Sequence, residues 1–221
     1  MGRLVVFEGI DGSGKSTQFK LLCDHLSSSG RDFMRVTFPR YDKPSSSLLK
    51  MYLNGEFGED PDAVNAYAAS SFFAVDRFAS YVQDWRGYYL EGGMILTDRY
   101  TTSNAIHQGA KLLPEQRERF FKWLYEYEFD LIGLPAPDTV IYLDIEAAHA
   151  ARRLHARQAE TDTTGDIHEK DPTYLEQCVQ CGEQASKLFG WHVVRCVADG
   201  RERAADDLHQ EIYELTMNCE L

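Results

Sequence analysis

The residues with the clearest chemical meaning lie near the N-terminus, in the stretch GIDGSGKST at 9–17. It fits the pattern G-x-x-x-x-G-K-[ST] of a phosphate-binding loop. Its glycines let the backbone approach a phosphate without a Cβ in the way, and the following helix N-terminus presents partial positive charge to the anion. We therefore predict that Lys15 reaches the outer phosphates of a nucleoside triphosphate and that Ser16 ligates Mg²⁺. The predicted phosphate-binding residues are Gly9, Asp11, Gly12, Ser13, Gly14, Lys15, Ser16 and Thr17.

Such a loop functions only between a strand and a helix, and the neighbouring residues predict both elements. Leu4-Val5-Val6-Phe7 reads as a short buried strand before the loop. After it, Phe19, Leu22, Cys23 and Leu26 recur at helical spacing. A glycine-rich turn that merely resembles the motif would need neither element, so the functional interpretation is favoured.

Five apolar runs predict strands, near 3–8, 33–38, 93–98, 138–143 and 192–197, and helical patterns separate them. This alternation predicts an α/β fold of three layers, a five-stranded parallel sheet with helices on both faces. Further helices are expected at 45–53, from Pro61 to Tyr81, and at 114–128, 173–189 and 201–217. Without an internal linker or repeat, residues 1–221 are expected to form one domain. Its ligands should lie at the carboxyl ends of the strands.

Composition narrows the possible partners and the compartment. A net charge of −12 and a pI near 5.0 argue against a general nucleic-acid surface, although not against nucleotides held by local basic clusters. The cysteine count is five, Met1 leads almost directly into the first strand, and no apolar run reaches membrane-spanning length. We expect a protein of the reducing cytoplasm with no membrane partner. The pair Cys178 and Cys181 is interpreted as ordinary helix content.

Polar residues follow the third predicted strand. Asp98 at its end has the position of a second magnesium residue, although a carboxylate there can also cap a helix. The polar stretch from Thr101 to Gly109 has the amide and hydroxyl groups to read a base and a sugar. The alternative is a polar helix face.

Two helical stretches add an aromatic residue and arginines. Phe73 and Arg77 are four apart and share a helix face, although a core aromatic and a solvated charge are the ordinary alternatives. Arg152, Arg153 and Arg157 follow the fourth strand and lie in a predicted lid around 150–170. A lid of this kind can supply charge to a transferring phosphoryl group, whereas the alternative is a solvated basic face.

Together these motifs resemble the thymidylate kinase family over essentially the whole chain. The resemblance rests on FEGIDGSGKST at 7–17, on Asp98-Arg99-Tyr100 with Ser103-Asn104, and on the Leu143-Asp144 strand followed by the arginine-rich lid. It implies a P-loop kinase fold, usually a homodimer, that transfers the γ-phosphate of ATP to dTMP with Mg²⁺.

The resemblance also implies roles for individual residues. Arg77 and Arg99 would hold the dTMP phosphate, Phe73 would stack on thymine, and Asn104 would contact the base. The loop at 9–17 carries no arginine, so the catalytic arginine would come from the lid. The implied catalytic residues are Lys15, Arg99, Arg153, Arg157 and Asp11; the substrate residues are Asp11, Phe38, Phe73, Arg77, Arg99, Ser103, Asn104 and His107; the metal residues are Ser16 and Asp98.

Two positions depart from the family pattern. His107 stands where a tyrosine often packs against the deoxyribose, and the loop arginine after the second strand has an ambiguous register around Arg40 and Tyr41. The acceptor is already an anionic phosphate, so we expect no catalytic histidine.

Two other kinds of protein remain possible from the sequence. One is a kinase for another nucleoside monophosphate or a deoxynucleoside. The other is a non-catalytic ATP-binding regulator, which would need neither an acceptor pocket nor a basic lid. A GTPase switch should carry Asn-Lys-x-Asp, which the sequence lacks.

Overall fold

The computed structural model describes residues 1–58, 60–161 and 172–218, without the side chains of 61, 157–161 and 172. Over these ranges five strands form one parallel sheet in the order β2-β3-β1-β4-β5. The strands are β1 (Arg3–Gly9), β2 (Met34–Thr37), β3 (Met94–Asp98), β4 (Thr139–Asp144) and β5 (His192–Arg195). The predicted sheet is confirmed, and each strand lies within a predicted run or one residue beyond it.

The strand register brings the chemically important residues to one edge of the sheet. Phe7 pairs with Asp98 of β3 and with Ile141 of β4, and Gly9 pairs with Leu143. The central strand β1 is the core of the molecule, with its apolar residues fully buried. The phosphate-loop motif, Asp98 and the start of the lid therefore all follow carboxyl ends of neighbouring strands.

Helices connect the strands and cover the sheet. They are α1 (Lys15–Ser28), α2 (Ser47–Leu53), α3 (Ala66–Ser80), α4 (Arg86–Leu90), α5 (Thr101–His107), α6 (Pro114–Tyr125), α7 (Ala147–Thr161), α8 (Pro172–Phe189) and α9 (Ala205–Asn218). Wider π-helical turns follow α3 at Tyr81–Trp85 and α6 at Glu126–Leu131. The last residues of the helix predicted at 114–128 belong to the second of these turns.

Two predicted helix starts are wrong. The helix expected from residue 201 begins at Ala205, because β6 (Val197–Ala198) and β7 (Arg201–Glu202) pair as a small antiparallel hairpin. The helix expected from Pro61 begins as one 3₁₀ turn, and α3 starts later. Asn65 fixes that start, because its side chain accepts a hydrogen bond from the Ala68 N–H at 3.0 Å.

The four cysteines in the described part of the chain are buried. Cys178 and Cys181 on α8 are fully buried free thiols, and burial raises the pKa of Cys181 to about 12. Cys181 packs as a small apolar group, whereas Cys178 Sγ lies 3.7 Å from His107 Nδ1. No helix within residues 1–58, 60–161 and 172–218 has the length and apolar character needed to cross a membrane.

Candidate active site

The stretch at 9–17 forms a tight loop between β1 and α1. Gly12 and Gly14 adopt positive φ angles of 81° and 89°. A Cβ on Gly12 would lie 2.4 Å from the Ala150 carbonyl oxygen, so no larger side chain fits there without displacing the start of α7. The loop is therefore packed directly against the helix that carries the lid arginines.

A cavity of about 260 Å³ opens over this loop, lined by residues 10–17 together with Arg153 and Leu154. Lys15 lies beneath it with 6% of its surface exposed, and its Nζ is 3.6 Å from Asp98 Oδ1. Burial and the neighbouring Arg99 lower the pKa of Lys15, while Asp98 and Asp11 oppose that shift. A ligand phosphate here would meet a largely desolvated ammonium group.

The predicted magnesium residues fit a divalent cation. Asp98 Oδ1 is buried and has no hydrogen-bond partner among the described residues, and its ion-pair partner is the Lys15 ammonium. Ser16, in the first turn of α1, is exposed at the cavity wall. Carboxylate and hydroxyl oxygens are hard ligands of the kind that Mg²⁺ prefers, completed by water and phosphate oxygens.

A second cavity, of about 250 Å³, adjoins the first, and Asp11 lies in the wall of both. All eight predicted substrate residues line it: Asp11, Phe38, Phe73, Arg77, Arg99, Ser103, Asn104 and His107. Five further lining residues were not among the predicted substrate residues: Pro39, Tyr41, Leu53, Tyr100 and Gln108, the last of which lies in the polar stretch predicted to read a base and a sugar.

Arg99 is held at the junction of the two cavities. Its Nη2 pairs with Asp11 Oδ1 and its Nη1 donates to His107 Nε2 at 2.9 Å. The Arg99 backbone has a φ of 70°, a conformation that costs energy in a residue other than glycine and concentrates at functional sites. Burial alone would lower the pKa of Arg99, but the carboxylates of Asp11 and Glu8 more than offset it and raise the pKa.

Glu8 organises the turn that follows Arg99, a role that its place inside a strand did not reveal. The fully buried carboxylate accepts hydrogen bonds from the Tyr100 N–H at 3.2 Å, from Thr102 Oγ1 at 2.6 Å and from Ser103 Oγ at 2.8 Å. Burial raises the pKa of Glu8. Ser103, predicted to touch substrate, therefore lines the cavity while its hydroxyl proton points to Glu8.

Arg77 on α3 lines the acceptor cavity and is not a solvated charge. Only 2% of its surface is exposed, and it forms a two-pronged ion pair with the fully buried Glu128. Because that carboxylate holds the Nε and Nη2 edge of Arg77, only Nη1 is left for a ligand, and the implied contact with the dTMP phosphate stays a prediction. Phe73 is half-buried at the cavity wall rather than in the main core.

The side chains of Arg40 and Tyr41, in the loop after β2, lie in different surroundings. The Arg40 side chain turns towards α3, where it donates to Asp76 Oδ1 at 3.3 Å and to Ser45 Oγ at 3.0 Å, and it also pairs with Asp84. Tyr41 lines the second cavity. Arg40 therefore anchors the loop, and Tyr41 lines the acceptor cavity together with Phe38 and Pro39.

The lid arginine Arg153 lies against the phosphate loop. Its Nη1 donates to the Ser13 carbonyl oxygen at 3.0 Å, and its Nη2 to Glu202 Oε2 of β7 at 2.8 Å. Hydrogen bonds from Arg153 and His149 lower the pKa of Glu202. Of the predicted lid at 150–170, residues 162–170 and the side chains of 157–161, Arg157 among them, lie outside the described residues.

Comparison with known proteins identifies the family. The thymidylate kinase family model matches residues 7–212 of this chain. The chain belongs to the thymidylate kinase family. It is 32% identical to the thymidylate kinase of Mycobacterium tuberculosis (strain ATCC 25618 / H37Rv) over 207 residues, covering 91% of this chain and 95% of the relative. It is 26% identical to the thymidylate kinase of Homo sapiens, covering 97% and 90%.

A solved thymidylate kinase structure, from Candida albicans, has the same fold. It aligns with a TM-score of 0.72 and 22% identity, covering 98% of this chain and 92% of that one. The resemblance drawn from the motifs of the sequence is thus confirmed at the level of the thymidylate kinase family, and so is the three-layer fold.

Proposed function

We propose that this chain transfers the γ-phosphate of ATP to dTMP and forms dTDP and ADP. One observation carries the proposal: Asp11 lies in the wall of both the phosphate-loop cavity and the acceptor cavity. A triphosphate on the loop and a monophosphate in the second cavity would meet beside that residue. Membership in the thymidylate kinase family supports ATP and dTMP as the two substrates.

The reaction joins two anions, so charge neutralisation and positioning carry most of the rate. A dTMP phosphate oxygen attacks the γ-phosphorus, and the bond from that phosphorus to the bridging β-phosphate oxygen breaks. Lys15 binds the donor phosphates, and Arg99, at the junction of the cavities, holds the acceptor phosphate. The nucleophile is already an anion, so no side chain needs to remove a proton, and the role of His107 is to position Arg99.

We also propose that the reaction uses Mg²⁺ as its cofactor. Ser16 and Asp98 would hold the ion, the latter directly or through water. When bound, it neutralises donor phosphate charge. The buried Asp98 oxygen supports this assignment, because an anionic oxygen without a hydrogen-bond donor gains most from a cation.

Arg153 is the proposed lid arginine of the catalytic set, and Arg157 is the next candidate. Contact with the Ser13 carbonyl supports Arg153, because it keeps a cation beside the donor phosphates. The ion pair with Glu202 holds it there before substrate arrives.

We also propose the domain organisation, the oligomeric state and the location of the protein. We assign one kinase domain to residues 1–221, a homodimeric state and a cytoplasmic location. Exposed Val75, Phe78 and Val82 share one side of α3 and the following turn, which supports a dimer face. Free thiols at the four described cysteines support a reducing compartment. Light scattering should give the mass of a dimer, and cell fractionation tests the location.

Incubation of the purified protein with ATP, Mg²⁺ and dTMP tests the function. We expect dTDP and ADP in equal amounts, and loss of both products with Lys15→Met. ATP binding without dTDP formation would contradict the proposal and favour an ATP-binding regulator.

A further inference from the structure

A buried polar cluster borders the acceptor cavity. Glu128 is its centre, with no exposed surface, and it touches Arg77, Thr101 and Asn104. We call these four residues the Glu128 cluster. Arg77 and Asn104 line the cavity, whereas Glu128 does not. Any effect of Glu128 on a ligand must therefore pass through the other members.

The first effect of Glu128 is to fix which edge of Arg77 faces the cavity. Glu128 accepts from Nε at 2.7 Å and from Nη2 at 2.6 Å, which together form one edge of the guanidinium. The remaining Nη1 makes only a long contact of 3.4 Å, to the Tyr100 carbonyl. Glu128 balances the charge of Arg77. Arg77 therefore offers a ligand N–H donors rather than an unbalanced positive charge.

The second effect is on the orientation of the Asn104 amide. Its Nδ2 donates to the Ser70 carbonyl at 3.3 Å and to Glu128 Oε1 at 3.4 Å. Both neighbours are acceptors, so the reversed amide would place its oxygen against two oxygens and is excluded. Within the described chain, the Asn104 hydrogen bonds all use Nδ2, so Oδ1 remains as an acceptor at the cavity wall.

A donor on Arg77 beside an acceptor on Asn104 selects one class of base. A pyrimidine with a carbonyl at position 4 and an N–H at position 3 presents the complementary acceptor and donor. Cytosine presents an amino group and an unprotonated ring nitrogen at these positions, the opposite pattern. A site built to hydrogen-bond one pattern rejects the other strongly, because buried polar groups would be left unpaired.

We infer that Glu128 is a specificity-determining positioning residue: it sets the donor edge of Arg77 and the acceptor face of Asn104, and so selects 4-oxo over 4-amino pyrimidine monophosphates. This inference rests on the proposed function and names the part of the chain that chooses the base. Thr101 supports it, because its hydroxyl donates to Glu128 Oε2 at 2.7 Å and fixes the carboxylate.

A buried ion pair can also be purely structural, and kinetics separates the two roles. A structural role for Glu128 would lower the fraction of active enzyme, so apparent kcat would fall with unchanged KM and unchanged base preference. The positioning role instead changes KM and preference at nearly constant kcat. The KM for ATP reports on the phosphate loop and should stay constant in either case.

The test compares Glu128→Gln with the wild type on dTMP, dUMP and dCMP. The matched control is Glu126→Gln, an exposed glutamate in the same π-helical turn. If Glu128→Gln does not fold, Thr101→Val carries the test, since valine keeps the shape and removes only the hydroxyl donor.

For Glu128→Gln we expect KM for dTMP and dUMP to rise about tenfold or more, and the preference for dTMP over dCMP to fall by a similar factor. For Thr101→Val we expect the same pattern at about threefold. Unchanged KM and unchanged dTMP-to-dCMP preference in a folded variant would overturn the inference. Failure of the wild type to phosphorylate any monophosphate would overturn the proposed function instead.

Discussion

Arg99 and Asp11 form an ion pair at the point where the phosphate-loop cavity and the acceptor cavity meet. The two residues come from different strand ends, and pairing of Phe7 with Asp98 in the sheet brings those ends together. A charged pair at this junction can exchange partners when an acceptor phosphate arrives. We propose that phosphoryl transfer takes place between these side chains.

The first prediction concerns Arg99→Lys. Lysine keeps the charge but cannot contact Asp11 and His107 together through a planar fork. We expect kcat to fall on the order of 10²-fold with dTMP, from lost transition-state stabilisation. Steady-state kinetics measures this, with exposed Arg119→Lys as the control. Near-normal kcat in Arg99→Lys would remove Arg99 from the catalytic set.

The second prediction concerns Gly12→Ala. The new Cβ would lie 2.4 Å from the Ala150 oxygen, and the positive φ adds roughly 1–2 kcal/mol of strain. We expect ATP affinity to fall at least tenfold, by calorimetry, because the loop must move away from its phosphate-binding shape. The control is Gly87→Ala in α4, where a Cβ meets nothing within 4 Å. ATP affinity equal to that of the control would contradict the close packing of the loop against α7.

The third prediction separates Arg153 from its partner Glu202. Arg153→Ala should lower kcat on the order of 10²–10³-fold, with ATP affinity little changed, because lid charge acts on the transferring group. Glu202→Gln should lower kcat far less, because the side chain of Glu202 is 40% exposed and only restrains Arg153. Both values come from saturating-substrate kinetics. Retention of kcat in Arg153→Ala would transfer the catalytic assignment to Arg157.

The fourth prediction uses Lys111. Burial lowers its pKa to about 8, from 10.5, although its ammonium donates to Tyr52 Oη and to the Val64 carbonyl. Between about pH 8 and pH 10.5 Lys111 is still protonated in the unfolded state but has lost its proton in the folded state. Lys111 therefore makes the free energy of unfolding rise with pH in this range. Lys111→Met should lack that rise.

Urea unfolding of wild type and Lys111→Met from pH 7.5 to 10 measures the effect. We expect the difference in unfolding free energy, wild type minus variant, to increase across this range. A constant difference would show that the pKa of Lys111 is the same in the folded and unfolded states.

Local sequence patterns predicted the sheet and the phosphate loop because both depend on short-range features. The apolar run from Leu4 to Phe7 and the glycine pattern at 9–17 each indicate a local structure without reference to distant residues. The eight substrate residues that the family resemblance implied line one cavity. Asp11, Phe38 and Arg99 reach it from loops at the ends of parallel strands, whereas Phe73 and Arg77 reach it from α3.

What the sequence did not predict depends on long-range contacts. Glu128 follows an amphipathic helix and looks like an exposed charge, yet its partner Arg77 is 51 residues away. Glu8 interrupts an apolar strand, and its partners lie more than ninety residues on. The β6–β7 hairpin has strands of two residues, too short for any alternation pattern to indicate them.

The relative rates with different acceptors test most sharply whether this chain is a dTMP kinase. The rate of phosphate transfer from ATP is measured for dTMP, dUMP, dCMP, dGMP and thymidine under identical conditions. We expect the highest kcat/KM for dTMP, measurable transfer to dUMP, and negligible transfer to thymidine, which lacks the phosphate that Arg99 would hold. A higher kcat/KM for dCMP, dGMP or thymidine than for dTMP would contradict this expectation.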